Sequence, residues 1–134
     1  MNFFVTGVRM SKIDLETRIR EKPHVTKEDI KAGLRELGLK RGDLVIVHSS
    51  LSSFGYVEGG ADTVIDALLE VLGEEGTLIM PTFTALTTYD IAGYDHQKTP
   101  VRKDIGIISE TFWRRLGVIR GKHPPRQPWA AKGL

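Results

Sequence analysis

The feature that most constrains this chain is a short apolar run, Leu44–Val47. Gly42 and Asp43 precede the run, and a serine-rich loop, Ser49–Ser53, lies just beyond it. Four apolar residues, including two valines and an isoleucine, between turn-forming residues predict a strand buried on both faces. Open α/β sheets bind their ligands beyond the carboxyl ends of such strands. We therefore expect the chemistry where this strand ends, at His48 and the serines after it.

Amphipathic patterns flank this strand on both sides. Thr26–Asp29 has the form of a capping box and predicts the start of a helix. A second apolar stripe runs from a predicted cap at Asp62 to a stop at Gly73. A further strand is predicted at 76–81, and the strand-helix-strand spacing predicts a parallel pair with a right-handed crossover.

The rest of the chain completes an α/β pattern. An irregular polar loop is predicted at 82–103, a helix at 106–116 and the start of one more strand at 118–120. The residues predicted to face inward on that helix are Ile108, Phe112 and Leu116. The fold class predicted from these elements is α/β, with a parallel or mixed sheet flanked by helices. No element is assigned to the first ten residues.

Length and composition narrow the class of protein. The chain has 134 residues, enough for one domain with a real core. The absence of cysteine excludes disulfides and thiolate metal sites. The formal charge is only +2 and the signs are interleaved, so nucleic acid is not indicated as a partner. No apolar run approaches the roughly 18 residues typical of a membrane span, and with no signal-peptide pattern the cytoplasm is the expected compartment.

A modest basic excess collects near the end of the chain. Such residues could attract phosphate, and a solvated tail is the alternative. They are Arg114, Arg115, Arg120, Lys122, Arg126 and Lys132.

An ordered series of short motifs resembles the amino-terminal half of the aminoglycoside 3-N-acetyltransferases. It begins with Gly42-Asp43, the apolar run and His48-Ser49-Ser50-Leu51, passes through Gly59-Gly60 and reaches Met80–Thr84. The resemblance implies an incomplete α/β domain of that family's type, with residues 1–25 as an N-terminal arm and residues 26–134 as a coenzyme A-binding half. It also implies acetyl transfer from acetyl-coenzyme A to an amine, namely the 3-amino group of a 2-deoxystreptamine antibiotic.

The same resemblance places the pantetheine of coenzyme A along His48, Ser49, Ser50 and Leu51. A ring nitrogen, two hydroxyls and several backbone amides at a strand end are also suitable partners for the two pantetheine amides. A structural turn is one alternative. A serine nucleophile is another, although the Gly-x-Ser-x-Gly pattern is absent.

Two further segments are candidates for the coenzyme's phosphates. Val57 and Gly59 precede a helix, where backbone amides can receive a phosphate or the adjacent pantetheine; an ordinary turn is the alternative. Arg102 and Lys103, ahead of Gly106, resemble the family's Thr-Pro-x-x-x-Gly segment, whose basic residue faces the phosphates. Two additional residues stand before the glycine in this chain, so the choice between the two cations stays open, as does a solvated loop.

Acidic residues of the polar loop are the candidates for the acceptor. Asp90 and Asp95 are expected to help receive a small cationic amine, and a plain surface loop is the alternative. Together with His96 they have a metal-like composition but no recognisable ligand spacing, so no metal is predicted.

No catalytic residue is assigned. In the resembled family the general base is the histidine of an Asn-Thr-x-x-His segment in the later half, and no such segment occurs here. His123-Pro124 with Ala130-Ala131 and Gly133 resembles another family block, but its serine is missing. A coenzyme A-binding module without a general base is therefore the alternative to an active enzyme. A sheet face left uncovered predicts self-association.

Overall fold

Five strands form one mixed sheet. A computed structural model describes residues 24–86, 93–122 and 128–133, together with the backbone of 2–6. The strands are β1 (Asn2–Thr6), β2 (Leu44–His48), β3 (Thr77–Pro81), β4 (Ile119–Arg120) and β5 (Trp129–Lys132). Their spatial order is β1-β2-β3-β5-β4; β1, β2 and β3 are parallel, and β5 runs antiparallel to β3 and β4. The α/β class and the parallel β2–β3 pair are confirmed, whereas β1 and β5 were not predicted.

Three α-helices accompany the sheet. They are α1 (Lys27–Glu36), α2 (Gly60–Leu72) and α3 (Ile107–Trp113), and α2 packs against both of the others. The predicted capping box of α1 is confirmed: the Asp29 amide donates to Thr26 Oγ1 at 3.2 Å, and the Thr26 amide donates to the Asp29 carboxylate at 3.0 Å. None of the helices in the described ranges is long and apolar enough to cross a membrane.

The start of α2 differs from the prediction. The helix begins at Gly60, so the predicted cap at Asp62 is wrong. Gly59 precedes it with φ +81°, and a Cβ at that glycine would clash with the Thr63 hydroxyl. That hydroxyl donates to the Glu58 carbonyl at 2.5 Å. A left-handed glycine therefore turns the chain into the helix, and Asp62 lies exposed in the first turn.

The core lies between the helices and one face of the sheet. Full burial of a large apolar side chain contributes about 1.5–3 kcal/mol, so this layer supplies most of the favourable free energy of folding. Its strand residues are Val45, Val47, Leu78, Met80 and Ala130, and its helical residues include Val64, Ile65, Leu68, Leu72, Ile108 and Phe112.

The opposite face of the sheet is only partly covered, which corrects the expectation that β2 is buried on both faces. Leu44 is 37% exposed and Ile46 is half-buried. Side chains alternate between the two faces of a strand, so one set is buried and the other is left partly open. In the described part of the chain, helices cover the face that carries Val45 and Val47.

An apolar row crosses this open face. Ile46 is in register with Ile79, Ile79 with Ala131, and Ala131 with Ile119. The first three are half-buried, and Ile119 is 78% exposed at the sheet edge. We call these four residues the open-face row.

The last helix is shorter than predicted. α3 ends at Trp113, and the chain turns through Gly117, at φ +82°, into β4. Ile108 and Phe112 are buried as predicted. Leu116 was predicted to face inward and is instead 95% exposed, because it follows the end of the helix.

Candidate functional site

The predicted loop lies at the carboxyl ends of the parallel strands. His48 is the last residue of β2, and the chain then enters a 3₁₀ turn, Leu51–Phe54. Ser49 is half-buried and Ser50 exposed, with the Ser50 and Ser52 hydroxyls 2.8 Å apart. Leu51 packs against the core. The serine hydroxyls are therefore accessible, while the loop itself is anchored.

Three aromatic rings line this edge of the sheet. The rings of His48 and Trp129 are edge to face, with centroids 5.7 Å apart, and those of Trp129 and Phe83 are edge to face at 5.3 Å. Antiparallel pairing of Pro81 with Trp129 positions the indole there. Sequence reasoning missed Trp129 and Phe83 as site residues. The signal available in the sequence was that Gln127-Pro128-Trp129 stands where the resembled family block has its serine.

A distant segment reaches the same loop. A Cβ built on Gly106 would lie 3.7 Å from the Ser49 carbonyl oxygen, and Gly106 has φ +103°. The amide of Arg102 donates to the Phe83 carbonyl at 2.8 Å, which fixes the approach of this segment to the end of β3. The fold thus brings two of the predicted coenzyme A segments, 48–51 and 102–106, to the same edge of the sheet.

The two predicted phosphate cations differ in their surroundings. The guanidinium of Arg102 forms a two-point ion pair with Asp104, with Nε–Oδ1 at 2.5 Å and Nη2–Oδ2 at 2.8 Å. Hydrogen bonding and charge in this exposed pair raise the pKa of Arg102 and lower that of Asp104. Lys103 is exposed. A phosphate at Arg102 would therefore compete with Asp104, a residue that sequence reasoning did not single out.

Val57 and Gly59 have structural roles that account for their residue types. Val57 forms a parallel bridge with Val25 and is buried. The Glu58 amide donates to the Val25 carbonyl at 3.1 Å, so this amide is already used within the protein. Gly59 provides the left-handed turn before α2. A contact of either residue with coenzyme A stays a prediction.

Asp95 organises a turn. Its Oδ1 accepts from the Gln97 amide at 2.8 Å, and its carbonyl accepts from the amides of Lys98 and Thr99. The Asp95 amide donates to Thr99 Oγ1 at 2.8 Å. A role in binding an amine stays a prediction for Asp95, while Asp90 lies outside the described residues, as do His123 and the segment 7–23.

Three polar residues near α3 connect the polar loop to the sheet. Burial would raise the pKa of Glu110, but hydrogen bonds from the Val101 amide, the Trp113 indole and Arg114 outweigh it and hold that pKa below its usual value. Tyr94 donates to the Gly121 carbonyl at 2.7 Å, and burial raises its pKa. The third residue is Arg120, which is 4% exposed and therefore does not belong to a solvated tail.

The described residues do not meet the requirements of a metal site. Across 24–86, 93–122 and 128–133, no three His, Asp or Glu side chains converge on a point that could hold a metal ion.

Comparison with known proteins points to one family. The family model described as aminoglycoside 3-N-acetyltransferase matches residues 46–133. The chain is 37% identical over 118 residues to the SPbeta prophage-derived aminoglycoside N(3')-acetyltransferase-like protein YokD of Bacillus subtilis, covering 74% of this chain and 43% of that protein. It is 39% identical over 98 residues to aminoglycoside N(3)-acetyltransferase IV from Salmonella, covering 73% and 36% respectively.

Solved structures similar to this chain include members of the same family. The crystal structure of aminoglycoside acetyltransferase AAC(3)-Xa superposes with a TM-score of 0.79 at 33% identity, over 92% of this chain and 49% of that one. The chain thus spans well under two thirds of the length of these relatives.

Proposed function

This chain belongs to the aminoglycoside 3-N-acetyltransferase family, and we propose that residues 26–134 form the coenzyme A-binding half of an enzyme that acetylates an amine. The observation that carries the proposal is the approach of Gly106 to the Ser49 carbonyl at the carboxyl edge of the sheet. Two segments far apart in sequence meet there, and each resembles a coenzyme-binding motif.

The donors at this edge suit a pantetheine. The hydroxyls of Ser49 and Ser50 and the backbone after β2 offer hydrogen-bonding groups beside an apolar surface formed by Leu51 and Trp129. Small-molecule sites commonly combine an apolar lining with a few convergent polar groups. A solved relative, AAC-IIIb in binary complex with CoASH, supports coenzyme A as the ligand.

Phosphate recognition is proposed for the exposed cations beside this edge. Lys103 has an ammonium that can approach a phosphate as a point charge. Arg102 can bind a phosphate when its guanidinium releases the Asp104 carboxylate. A phosphate and a carboxylate can each accept two parallel hydrogen bonds from a guanidinium.

Acetyl transfer makes further demands on the site. A C–N bond forms as the amine nitrogen attacks the thioester carbonyl, the C–S bond breaks with sulfur leaving as thiolate, and the nitrogen loses one proton to a base. A positioned base typically contributes about 10²- to 10⁴-fold in rate. We propose that His48 holds the ligand against Trp129 and does not act as that base, because its ring is packed in the wall of the site.

The proposed acceptor is an aminoglycoside. Solved relatives are described as AAC(3)-IVa in complex with apramycin and with a gentamicin. Asp90 and Asp95 remain the proposed contacts for its cationic amines, and the cytoplasm, where acetyl-coenzyme A is available, remains the proposed compartment. On this basis, the activity confers antibiotic resistance.

Calorimetric titration with coenzyme A tests the proposal. The double variant Arg102→Gln/Lys103→Gln should bind about 3- to 30-fold more weakly than the wild type, as charge-assisted contacts to phosphate are lost. Lys98→Gln is the charge control, since it is exposed in the same loop but precedes the motif. The proposal fails if folded wild-type protein does not bind millimolar coenzyme A, or if Lys98→Gln weakens binding as much as the double variant.

A second candidate function is a coenzyme A-binding module without transferase activity. The observation that favours it is that the imidazole of His48, the histidine of the proposed site, is packed against Trp129, and no general base is assigned among the described residues. A thiol-release assay with acetyl-coenzyme A and gentamicin separates the two, because only the transferase releases thiol in steady state.

We also propose that the chain self-associates through the open-face row. Its four residues are in register across β2, β3, β5 and β4, and no helix of the described ranges covers them. A second copy would remove this apolar surface from water, which is favourable at about 25 cal/mol per Å².

A further inference from the structure

A second groove lies at β4, away from the residues predicted to bind coenzyme A. It has a volume of about 460 Å³. It lies at the carboxyl end of α3, whereas Gly106 precedes the amino end. Seven helical residues at 1.5 Å each separate the two ends by about 10 Å. The residues that give it its chemical character are His96, Gln97, Trp113, Arg114, Arg120 and Lys122.

Arg120 in this groove is a buried cation. Its Nε donates to Thr82 Oγ1 at 3.1 Å, its Nη2 to the Thr82 carbonyl at 2.9 Å, and its Nη1 to the Thr99 carbonyl. These bonds use three of the five N–H groups of a guanidinium. Within the described ranges no carboxylate pairs with Arg120, and burial lowers its pKa. Such a charge is costly to bury unless an anion compensates it.

Among the described residues, the neighbouring acidic side chains do not supply that anion. The Glu110 carboxylate interacts electrostatically with Arg120, but it already accepts hydrogen bonds from the Val101 amide, the Trp113 indole and Arg114. Glu110 therefore pairs with Arg114, and Arg120 and Lys122 have no carboxylate partner among the described residues. The Asp95 carboxylate, next to His96, is engaged by the Gln97 amide.

Trp113 fixes the arrangement of the cations. Its ring lies 4.3 Å from the guanidinium carbon of Arg120 and 4.4 Å from that of Arg114. Cation–π contacts stabilise the charges without neutralising them. The groove is consequently positive and has one rigid donor fork, since Arg120 is held in place by Thr82, Thr99 and Trp113.

We propose that this groove binds the phosphate group of a small molecule, held by the remaining Arg120 N–H groups and by Lys122. A guanidinium fork matches phosphate oxygens, and partial burial strengthens the attraction relative to bulk water. The site goes beyond the proposed function, because it depends on neither acetyl transfer nor the 48–51 loop. Free inorganic phosphate and the 3′-phosphate of a nucleotide such as coenzyme A share this chemistry.

The direct test is titration of the folded protein with inorganic phosphate at constant ionic strength, with chloride as the balancing anion. The Arg120 Nε–H signal in ¹⁵N NMR should shift and saturate. Lys122→Gln should weaken phosphate binding by about 2- to 5-fold, the effect of one partly screened charge. Lys98→Gln, with an exposed cation that does not line the groove, should leave it unchanged.

Two results would overturn the proposal. One is an Arg120 signal that does not move with phosphate. The other is equal weakening by Lys98→Gln and Lys122→Gln, which would indicate general attraction to a basic surface.

A competition experiment identifies the source of the phosphate. Coenzyme A that displaces inorganic phosphate, while 3′-dephospho-coenzyme A does not, supports the groove as a site for a nucleotide 3′-phosphate. Failure of both to displace it supports a free phosphate ion. Displacement by chloride alone argues against a phosphate site.

Discussion

The indole of Trp129 meets the imidazole of His48 edge to face, with 5.7 Å between centroids and 85° between planes. These rings are far apart in sequence. They come together because β3 pairs with β2 on one side and with β5 on the other, and β5 begins where β3 ends. Phe83 supports the indole from a second direction at 5.3 Å. The wall of the proposed coenzyme site is thus built from three separate segments.

Removing the indole should destabilise the protein. Trp129→Ala is expected to lower the free energy of unfolding by about 1–3 kcal/mol, because each edge-to-face pair contributes about 0.5–1.5 kcal/mol beyond area burial. Trp129→Phe should lower the free energy of unfolding by less, because an aromatic ring remains at this position. Urea denaturation measures the difference, with Leu116→Ala as an exposed apolar control that should change stability by less than about 0.5 kcal/mol. Equal midpoints for Trp129→Ala and Leu116→Ala would contradict the supporting role.

Asp104 should restrain the proposed phosphate contact. Asp104→Asn removes the charge that engages Arg102 and leaves its guanidinium free for coenzyme A. We expect coenzyme A affinity to rise about 2- to 5-fold by calorimetry, the scale of an exposed ion pair. Glu36→Gln, which removes an exposed carboxylate on α1, controls for net charge. An affinity that rises equally in both variants would show that only net charge matters.

Glu110 should make stability depend on pH in the acid range. Its folded pKa lies below its usual value, so its stabilising effect is fully present above the unfolded pKa of about 4.3 and is lost as pH falls through the folded pKa. Glu110→Gln should cost about 1–3 kcal/mol near neutral pH, since buried donors lose a charged acceptor. Thermal unfolding of both proteins between pH 3 and pH 7 checks this. The difference in stability between the wild type and Glu110→Gln should become smaller toward pH 3. A difference that stays constant with pH would rule out titration of this carboxyl.

Two glycine-to-alanine substitutions should act in opposite directions. Gly106→Ala should destabilise by about 1–3 kcal/mol, because φ +103° is strained for a residue with a Cβ. Gly33→Ala, inside α1 with open space around its Cβ position, should stabilise by about 0.5–1 kcal/mol. Both are read from urea midpoints. A Gly106→Ala variant as stable as the wild type would indicate that the 102–106 segment is not fixed against the loop.

Self-association should depend on the open-face row. Light scattering should show a mass above that of one chain, and Ile119→Lys should shift it toward the monomer by placing a charge within the apolar row. Leu116→Lys, the control, places the same charge on another exposed apolar residue, which lies outside the row. A wild-type protein that stays monomeric at every concentration would remove this proposal.

Local chemistry was sufficient to identify several elements. The Thr26–Asp29 box, the apolar run of β2 and the Gly73 stop act through nearest neighbours, so their outcomes follow from the residues themselves. The start of α2 was misplaced, because Gly59 can adopt a left-handed turn that makes a cap at Asp62 unnecessary. The motifs also identified the family, since their order along the chain is itself sequence information.

Tertiary structure decided everything that depends on pairing between distant segments. β1 and β5 are strands because neighbouring strands offer them hydrogen-bonding partners: β1 pairs with β2, and β5 pairs with β3 and β4. The three-ring wall at Trp129 and the burial of Arg120 against Thr82 and Thr99 likewise depend on which surfaces meet. The sequence by itself determined which residues could form helices, strands and turns; the sheet register decided which of them share a site, because a side chain's charge and exposure depend on its neighbours in space.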